Sequence, residues 1–398
     1  MTALRTRHWQ HYLALVQQDP QDWQRIATIY DQVKRAWPFV AEEANGLVFV
    51  RALATYQERQ GLWQDRESWV KRALQFAKAT HQPAIVGALL TDLGAVYRLQ
   101  GHWEEALTHY EAAMQCCQQF DDCQGIADAL EGQGLVYDLQ GKWQQADNRY
   151  TAALVICRQL QNRAGEGKLL ANRGVLYGRQ SRWAEAIAMF DAYLYLCSEL
   201  GDRHGEGIAF NNLGMVYAGQ GQCEAARTLW EKALAAYCHA GDRLGESYVL
   251  NNLGDLSAQQ ECWMEAMTMY ERSLRIKREI GDRQGESENL HGIGNILRRQ
   301  QQWAEASRVL GQALHLRQLV GDRYGEGQTL YSLGQVDEQQ GETQQAVAAY
   351  SASLMIFHQL GANQDANTVS RALALLAQLA VNINDDTALD VAQCIVLS

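Results

Sequence analysis

The sequence predicts an all-α solenoid of antiparallel helix pairs, and three observations carry that prediction. A 40-residue period runs from about Ala84 to Leu360 without insertion or deletion. Gly94, Gly134, Gly174, Gly214, Gly254, Gly294 and Gly334 fall at one phase of it, and Ala106, Ala146, Ala186, Ala226, Ala266, Ala306 and Ala346 at another. Self-similarity at such a period marks an array whose units pack on their neighbours and offer an extended binding surface. The only prolines are Pro20, Pro38 and Pro83, so nothing after Pro83 interrupts a helix by ring closure. Apolar residues recur at helical spacing between regular glycine corners.

Composition bounds the function classes. A chain of 398 residues with 47% hydrophobic residues has ample material for a continuous core. Its net charge of −11 disfavours nucleic acid, which needs a clustered basic face. The local run Arg275, Lys277, Arg278, Arg298 and Arg299 is interleaved with Glu271, Glu279 and Asp282 and reads as a solvated face. The N-terminal stretch MTALRTRHWQHYLALVQQ lacks the apolar core and cleavage site of a secretory leader. Ala372 to Ile383 is too short and too polar to span a bilayer. Cys117, Cys157 and Cys197 are repeat-equivalent and suit packing positions, whereas Cys116, Cys117 and Cys123 lack the CxxC or histidine partner of a metal site. The expectation is a cytoplasmic protein with reduced thiols, no metal and no cofactor.

The elements follow in order. Residues 1–43 form an N-terminal helical segment: Trp9, Tyr12, Leu13 and Val16 make one apolar stripe, and Trp23, Ile26, Tyr30, Val33 and Trp37 a second that ends at Pro38. Asp19-Pro20 suits a helix start, with Asp as cap and Pro at the first position. Leu53, Trp63, Ala73 and Leu74 keep the repeat phase, so residues 44–83 read as one degenerate unit. Residues 84–363 hold seven units. In the unit from His204 to Gly241, Phe210, Leu213, Gly214 and Tyr217 stripe a first helix, and Ala226, Trp230, Ala233 and Leu234 a second. Gly214 and Ala226 are small because the two helices cross closely. The corner Gly241-Asp242-Arg243 recurs at Gly201, Gly281 and Gly321; Gly ends one helix, Asp caps the next, and Glu246 suits its first turn. Capping explains every residue of this corner except the arginine. Residues 364–380 give a final helix that covers the last unit, and residues 381–398 a tail.

Leu213-Gly214 with Tyr217, then Ala226, Trp230 and Ala233, resembles the tetratricopeptide repeat, and the match recurs over roughly 280 residues. The resemblance implies a right-handed superhelix. Two departures stand out: the proline that follows the second helix in that family is absent, and the period is 40 rather than about 34. Six additional residues add about 9 Å of helix per unit. The lengthened form is similar to the repeats of kinesin light chains, of G-protein-signalling modulators, and of bacterial STAND-class signalling NTPases. RHWQHYLALV with DWQRIATIYDQVKRAW also resembles the helical connector of the STAND proteins, but no phosphate loop is present, since Gly167-Lys168 lacks the flanking Gly and Ser/Thr. The signature tyrosine of Tyr97, Tyr137, Tyr177 and Tyr217 gives way to Ser257, Leu297 and Asp337.

The first helices carry the candidate site. The helical wheel sets Ile208, Asn211, Met215 and Ala218 beside the core stripe, with Asn212 at the edge. Read along the array, these positions begin acidic with Asp128, Glu131 and Asp138. Lys168 and Arg179 follow, with Asn172 at the edge. Asn211, Asn212, Asn251 and Asn252 make a carboxamide centre with Tyr248 and Asp255. Glu288, His291, Asn295, Arg298 and Arg299 give a mixed end, finished by Gln328, Tyr331 and Gln335. Asparagine both donates and accepts, so a ladder of them suits the backbone of an extended peptide; in the families resembled, asparagines at this position hold partner peptides. Plain solvation of the helix face is an equal reading of the same residues. No histidine accompanies a nucleophile motif. The expectation is a non-catalytic scaffold or sensor module, in bacterial signalling, that captures a protein or peptide and binds neither nucleic acid nor membrane. The alternative is a peptide-responsive regulator similar to the Rap proteins, acting through its N-terminal helices.

Overall fold

The computed structural model describes residues 2–18, 23–40, 46–60 and 62–382. The Asp19-Pro20 start and residues 383–398 of the expected tail lie outside them. Among the described residues the chain is all helix, with no strand. Helices α1 (Thr2–Gln18), α2 (Trp23–Val40), α3 (Gly46–Arg59) and α4 (Trp63–Ala79) come first. The pairs α5 (Pro83–Leu99) with α6 (Trp103–Gln119), α7 (Cys123–Leu139) with α8 (Trp143–Gln159), and α9 (Arg163–Arg179) with α10 (Trp183–Leu200) follow. Next are α11 (Arg203–Gly219) with α12 (Cys223–Ala240), α13 (Arg243–Gln259) with α14 (Trp263–Ile280), and α15 (Arg283–Arg299) with α16 (Trp303–Val320). The series closes with α17 (Arg323–Gln340), α18 (Thr343–Gln359) and α19 (Asn363–Asn382). Two compact units result, Met1–Glu58 with Leu62–Val249, and Arg59–Gly61 with Leu250–Ser398.

One packing rule repeats through both units. The glycine of the first helix makes room for a large side chain of the second. A Cβ on Gly134 would stand 2.5 Å from the Tyr150 ring, and one on Gly214 2.5 Å from the Trp230 indole. Gly174 serves Phe190, Gly254 serves Tyr270 and Gly334 serves Tyr350 in the same way. Ala146, Ala186, Ala226 and Ala266 are fully buried, where any larger residue meets the facing helix. Burying one such aromatic or leucine stabilises the fold by about 1.5–3 kcal/mol.

The corners explain the arginine left over by sequence. Gly241 ends α12 in the left-handed region at φ 68°, and Asp242 Oδ1 accepts from the Gly245 amide at 3.0 Å. Arg243 then reaches Glu246, at 2.8 Å, and Arg203 reaches Glu206, at 2.6 Å. These glutamates are buried to within 8% and 9% exposure, so Arg243 and Arg203 each neutralise a first-turn carboxylate that water hardly reaches, whereas at the Gly281 corner Glu286 is taken by Arg278.

At the N-terminus the expected end of the second helix at Pro38 is corrected: α2 continues to Val40 with Pro38 inside it. Trp37, immediately before the proline, stacks on Trp69 at 4.9 Å between ring centroids and on Phe49 at 5.8 Å. That aromatic burial holds Trp37 helical against the local preference that proline imposes on its predecessor. At the other end α19 buries Ala366, Val369, Leu373 and Leu376 against Tyr350, Leu354 and Phe357 of α18.

Candidate partner-binding site

In the C-terminal unit the first helices α13, α15 and α17 lie around a cavity of about 740 Å³. Spacing on α15 puts Glu288, His291, Asn295 and Arg298 on one face at steps of three and four residues. Asn251 and Asp255 of α13, Tyr331, Ser332 and Gln335 of α17, and Trp263 and Tyr270 of the α14 side complete the lining.

Two of the carboxylates here, Asp255 and Glu288, are already committed. Asp255 accepts from the Tyr270 hydroxyl, and from Asn251 Nδ2 at 3.1 Å. Burial pushes the Asp255 carboxyl above the usual carboxylate range, although the tyrosine hydrogen bond opposes that shift. Glu288 lies 3.8 Å from the ammonium of Lys277, which donates to Asn289 Oδ1 at 2.7 Å. His291 is held neutral: burial, then the charges of Arg317 and Arg298, push its pKa down to about 3.

Of the charged lining residues, Arg298, Arg299 and Glu261 have no ion pair among the described residues. Arg298 is half-buried, and burial, then Arg299, push its pKa down. Its Nε donates over a long 3.5 Å to Asn295 Oδ1, and no carboxylate of the described residues pairs with it. Elsewhere arginines of comparable burial are neutralised, as in Arg173–Asp147 at 2.8 Å. Asn251 Oδ1 is buried and accepts no hydrogen bond from the described residues. The cavity therefore presents a cation, and its wall holds a buried acceptor without a donor.

The structure thus brings together Asn251, Asp255, His291, Asn295, Arg298 and Arg299 of the residues anticipated from sequence. Asn172, Asn211, Asn212 and Tyr248 lie in the N-terminal unit, and Asn252 does not line the cavity. Asn172 is engaged internally: its Nδ2 donates to Glu131 at 2.9 Å, and Lys168 Nζ sits 2.9 Å from the same carboxylate. Arg179 reaches Asp138 at 2.7 Å. The acidic start read from Glu131 and Asp138 is thereby neutralised by the following repeat. Lys277, expected on a solvated face, is fully buried. Its stem packs where the stacking leaves no Cβ on Gly285, and Asn289 binds its head. Sequence reasoning missed Tyr270, Trp263 and Ser332, which become lining residues only when neighbouring pairs stack.

Buried thiols are inert here. Burial pushes Cys117 up to about 12 and Cys197 up to about 11, far from thiolate reactivity. Among the described residues no cluster of His, Cys, Asp and Glu could hold a metal ion, and no helix is long and apolar enough to cross a membrane.

The tetratricopeptide repeat family model matches residues 85–159, 166–239, 245–318 and 286–359. No curated protein sequence matches the chain. Among solved structures, a STAND signal-transduction ATPase with a tetratricopeptide repeat sensor from Pyrococcus horikoshii is similar, with 10% identity and TM-score 0.54 over 86% of this chain. The matched part is 54% of that protein, so this chain spans about half its length. A Rap protein complexed with Competence and Sporulation Factor is similar at 10% identity and TM-score 0.53, over 85% of this chain and 98% of that one. The apo form of RapI is similar at 14% identity and TM-score 0.50, over 69% of this chain and 98% of that one. At these identities the likeness is one of fold.

Proposed function

This chain belongs to the tetratricopeptide repeat family, and from that premise we propose that it is a non-catalytic scaffold that captures an extended segment of another protein in the cavity of α13, α15 and α17. The observation that carries the reading is the unneutralised Arg298 in a cavity whose wall also holds Asn251, the buried Oδ1 of which lacks a donor among the described residues. A peptide supplies an acidic side chain for Arg298 and its exposed neighbour Arg299, and a backbone N–H for Asn251 once its amide turns into the cavity. Asn172, Asn211, Asn212 and Tyr248, which lie in the other unit, and Asn252, which does not line the cavity, are not part of this proposal.

The test is capture from native lysate by the full chain, compared with Asn251→Ala and Arg298→Ala chains of unchanged helicity. Proteins held by the parent and lost from both variants support the cavity as the site. Each lost hydrogen bond weakens binding by about 0.5–1.5 kcal/mol, and more where a charge is involved. Identical retention on all three baits removes the cavity from the function.

The likeness covering 98% of the Rap chain, helices at its N-terminus included in the span, favours a second reading. A small peptide in the repeats would then change how α1 and α2 engage a signalling partner. Compaction of the chain on adding the captured segment, followed by small-angle scattering, supports that reading; an unchanged radius of gyration leaves the scaffold.

A further inference from the structure

One pair of repeat positions, at the end of each second helix and within the following first helix, is apolar in most units. Its occupants are Cys117 with Ala129, Cys157 with Leu169, Cys197 with Ala209, Tyr237 with Val249, and Phe357 with Val369. In two units it is polar: Lys277 with Asn289, and Arg317 with Thr329. Both cations are buried, Lys277 to 0% and Arg317 to 4% exposure. A buried ion stabilises less than the apolar pair that fills the same frame elsewhere, so packing does not account for it. Both polar pairs stand directly behind the cavity wall. Lys277 lies against Glu288, and Thr329 against His291.

The second pair has a definite hydrogen-bond polarity. Arg317 donates to Thr329 Oγ1 at 2.7 Å, and that hydroxyl donates to the Gly325 carbonyl at 3.0 Å. Its remaining lone pair faces His291 Nδ1 at 3.4 Å, which makes Nδ1 the protonated nitrogen. Nε2 is then an acceptor, and it takes the Asn295 amide N–H at 2.9 Å. That turns the Asn295 carbonyl toward Arg298. Reversing the histidine tautomer would turn the amide N–H₂ onto the guanidinium, donor against donor.

We propose that Arg317, Thr329 and His291 are positioning residues, which fix the Asn295 amide with its carbonyl toward Arg298 and so hold that guanidinium in the cavity. The proposal rests on reading the cavity as the recognition site, but its test uses the free protein and stands whether or not a partner binds there. In ¹⁵N spectra of the full chain, His291 shows the Nδ1–H tautomer. Thr329→Val, which copies the Val249 and Val369 of other units, keeps the fold, loses that tautomer signature, and lets Arg298 Nε–H exchange about tenfold faster. Thr329→Ser restores both signals. The apolar double replacement Arg317→Phe with Thr329→Val, which reproduces the pair Phe357 and Val369, melts no lower than the parent and shows the same loss. An Nε2–H tautomer in the parent, or an unchanged tautomer and Arg298 exchange rate in folded Thr329→Val, overturns the proposal.

Discussion

His204 and His291 respond to pH in opposite directions because their surroundings differ. His204 Nδ1 lies 3.0 Å from the Asp242 carboxylate, and that hydrogen bond raises its pKa above the ordinary 6.5. Its contribution to stability is therefore complete below about pH 6.5 and is lost as pH rises through the folded-state value. His291 is buried neutral with its pKa lowered from 6.5 to about 3, so its contribution is present above 6.5 and falls as the medium is acidified toward 3. Hydrogen exchange resolved by residue checks this. Between pH 5 and pH 8 the amides around His204 lose protection relative to a His204→Ala chain, while those around His291 gain it relative to His291→Gln. Equal trends in both places would show that the two rings do not sit in the environments described. Size is as demanding as charge at this scale. Ala226 has 0% exposure, and Ala226→Leu is expected to lower stability by about 1–3 kcal/mol, read as a lower melting midpoint.

At the scale of the helix pair, the corner between first and second helix from α5 to α18 takes a left-handed residue. Gly141 does so at φ 70° and Gly221 at φ 76°, but Ser181 stands in the same place at φ 57°. A side chain there costs roughly 1–2 kcal/mol, partly offset by the greater unfolded-state freedom of glycine. Ser181→Gly is thus expected to raise stability by up to about 1 kcal/mol, and a fall in the denaturant midpoint would show that the hydroxyl compensates. The corner between pairs depends on its cap. Removing the Asp242 carboxylate with Asp242→Ala unpairs the Gly245 amide and the His204 ring together, at a cost of about 0.5–2 kcal/mol for the cap alone. Cap glycine and cap aspartate were legible in sequence because their partners lie within three residues. The corner arginine was not, because its value depends on how deeply stacking buries Glu206 or Glu246.

At the scale of the whole chain, the expected behaviour is recognition without nucleotide chemistry. Phosphate transfer needs a backbone nest, a lysine beside it and a magnesium ligand. Neither Gly-Lys pair supplies them: Gly141-Lys142 is followed by Trp143 at the corner before α8, and Gly167-Lys168 lies inside α9 with its lysine held by Glu131 at 2.9 Å. With a net charge of −11 the chain offers polyphosphate no general attraction. Incubated with ATP or GTP and magnesium, the purified chain should release phosphate no faster than buffer. Turnover abolished by Lys168→Ala would sink that expectation and, with it, the scaffold reading.

The sequence by itself determined the helix pairs, their period and their corners, because a 40-residue frame repeats the same local physics: a glycine under an aromatic ring, an alanine at a crossing, an aspartate over free amides. It also placed Asn251, Asp255, His291, Asn295, Arg298 and Arg299 on one kind of helix face. Only the tertiary structure decided which of those polar groups remain open. Asn172 and Asn251 occupy similar faces, yet one is spent on Glu131 and the other keeps a buried oxygen unfilled. Lys277 read as part of a solvated face, yet stacking buries it, and Arg317 likewise, behind the cavity wall. The reason is range. Capping and helix periodicity act over a few residues, whereas the fate of a polar side chain is settled by partners about forty residues away in the adjoining repeat.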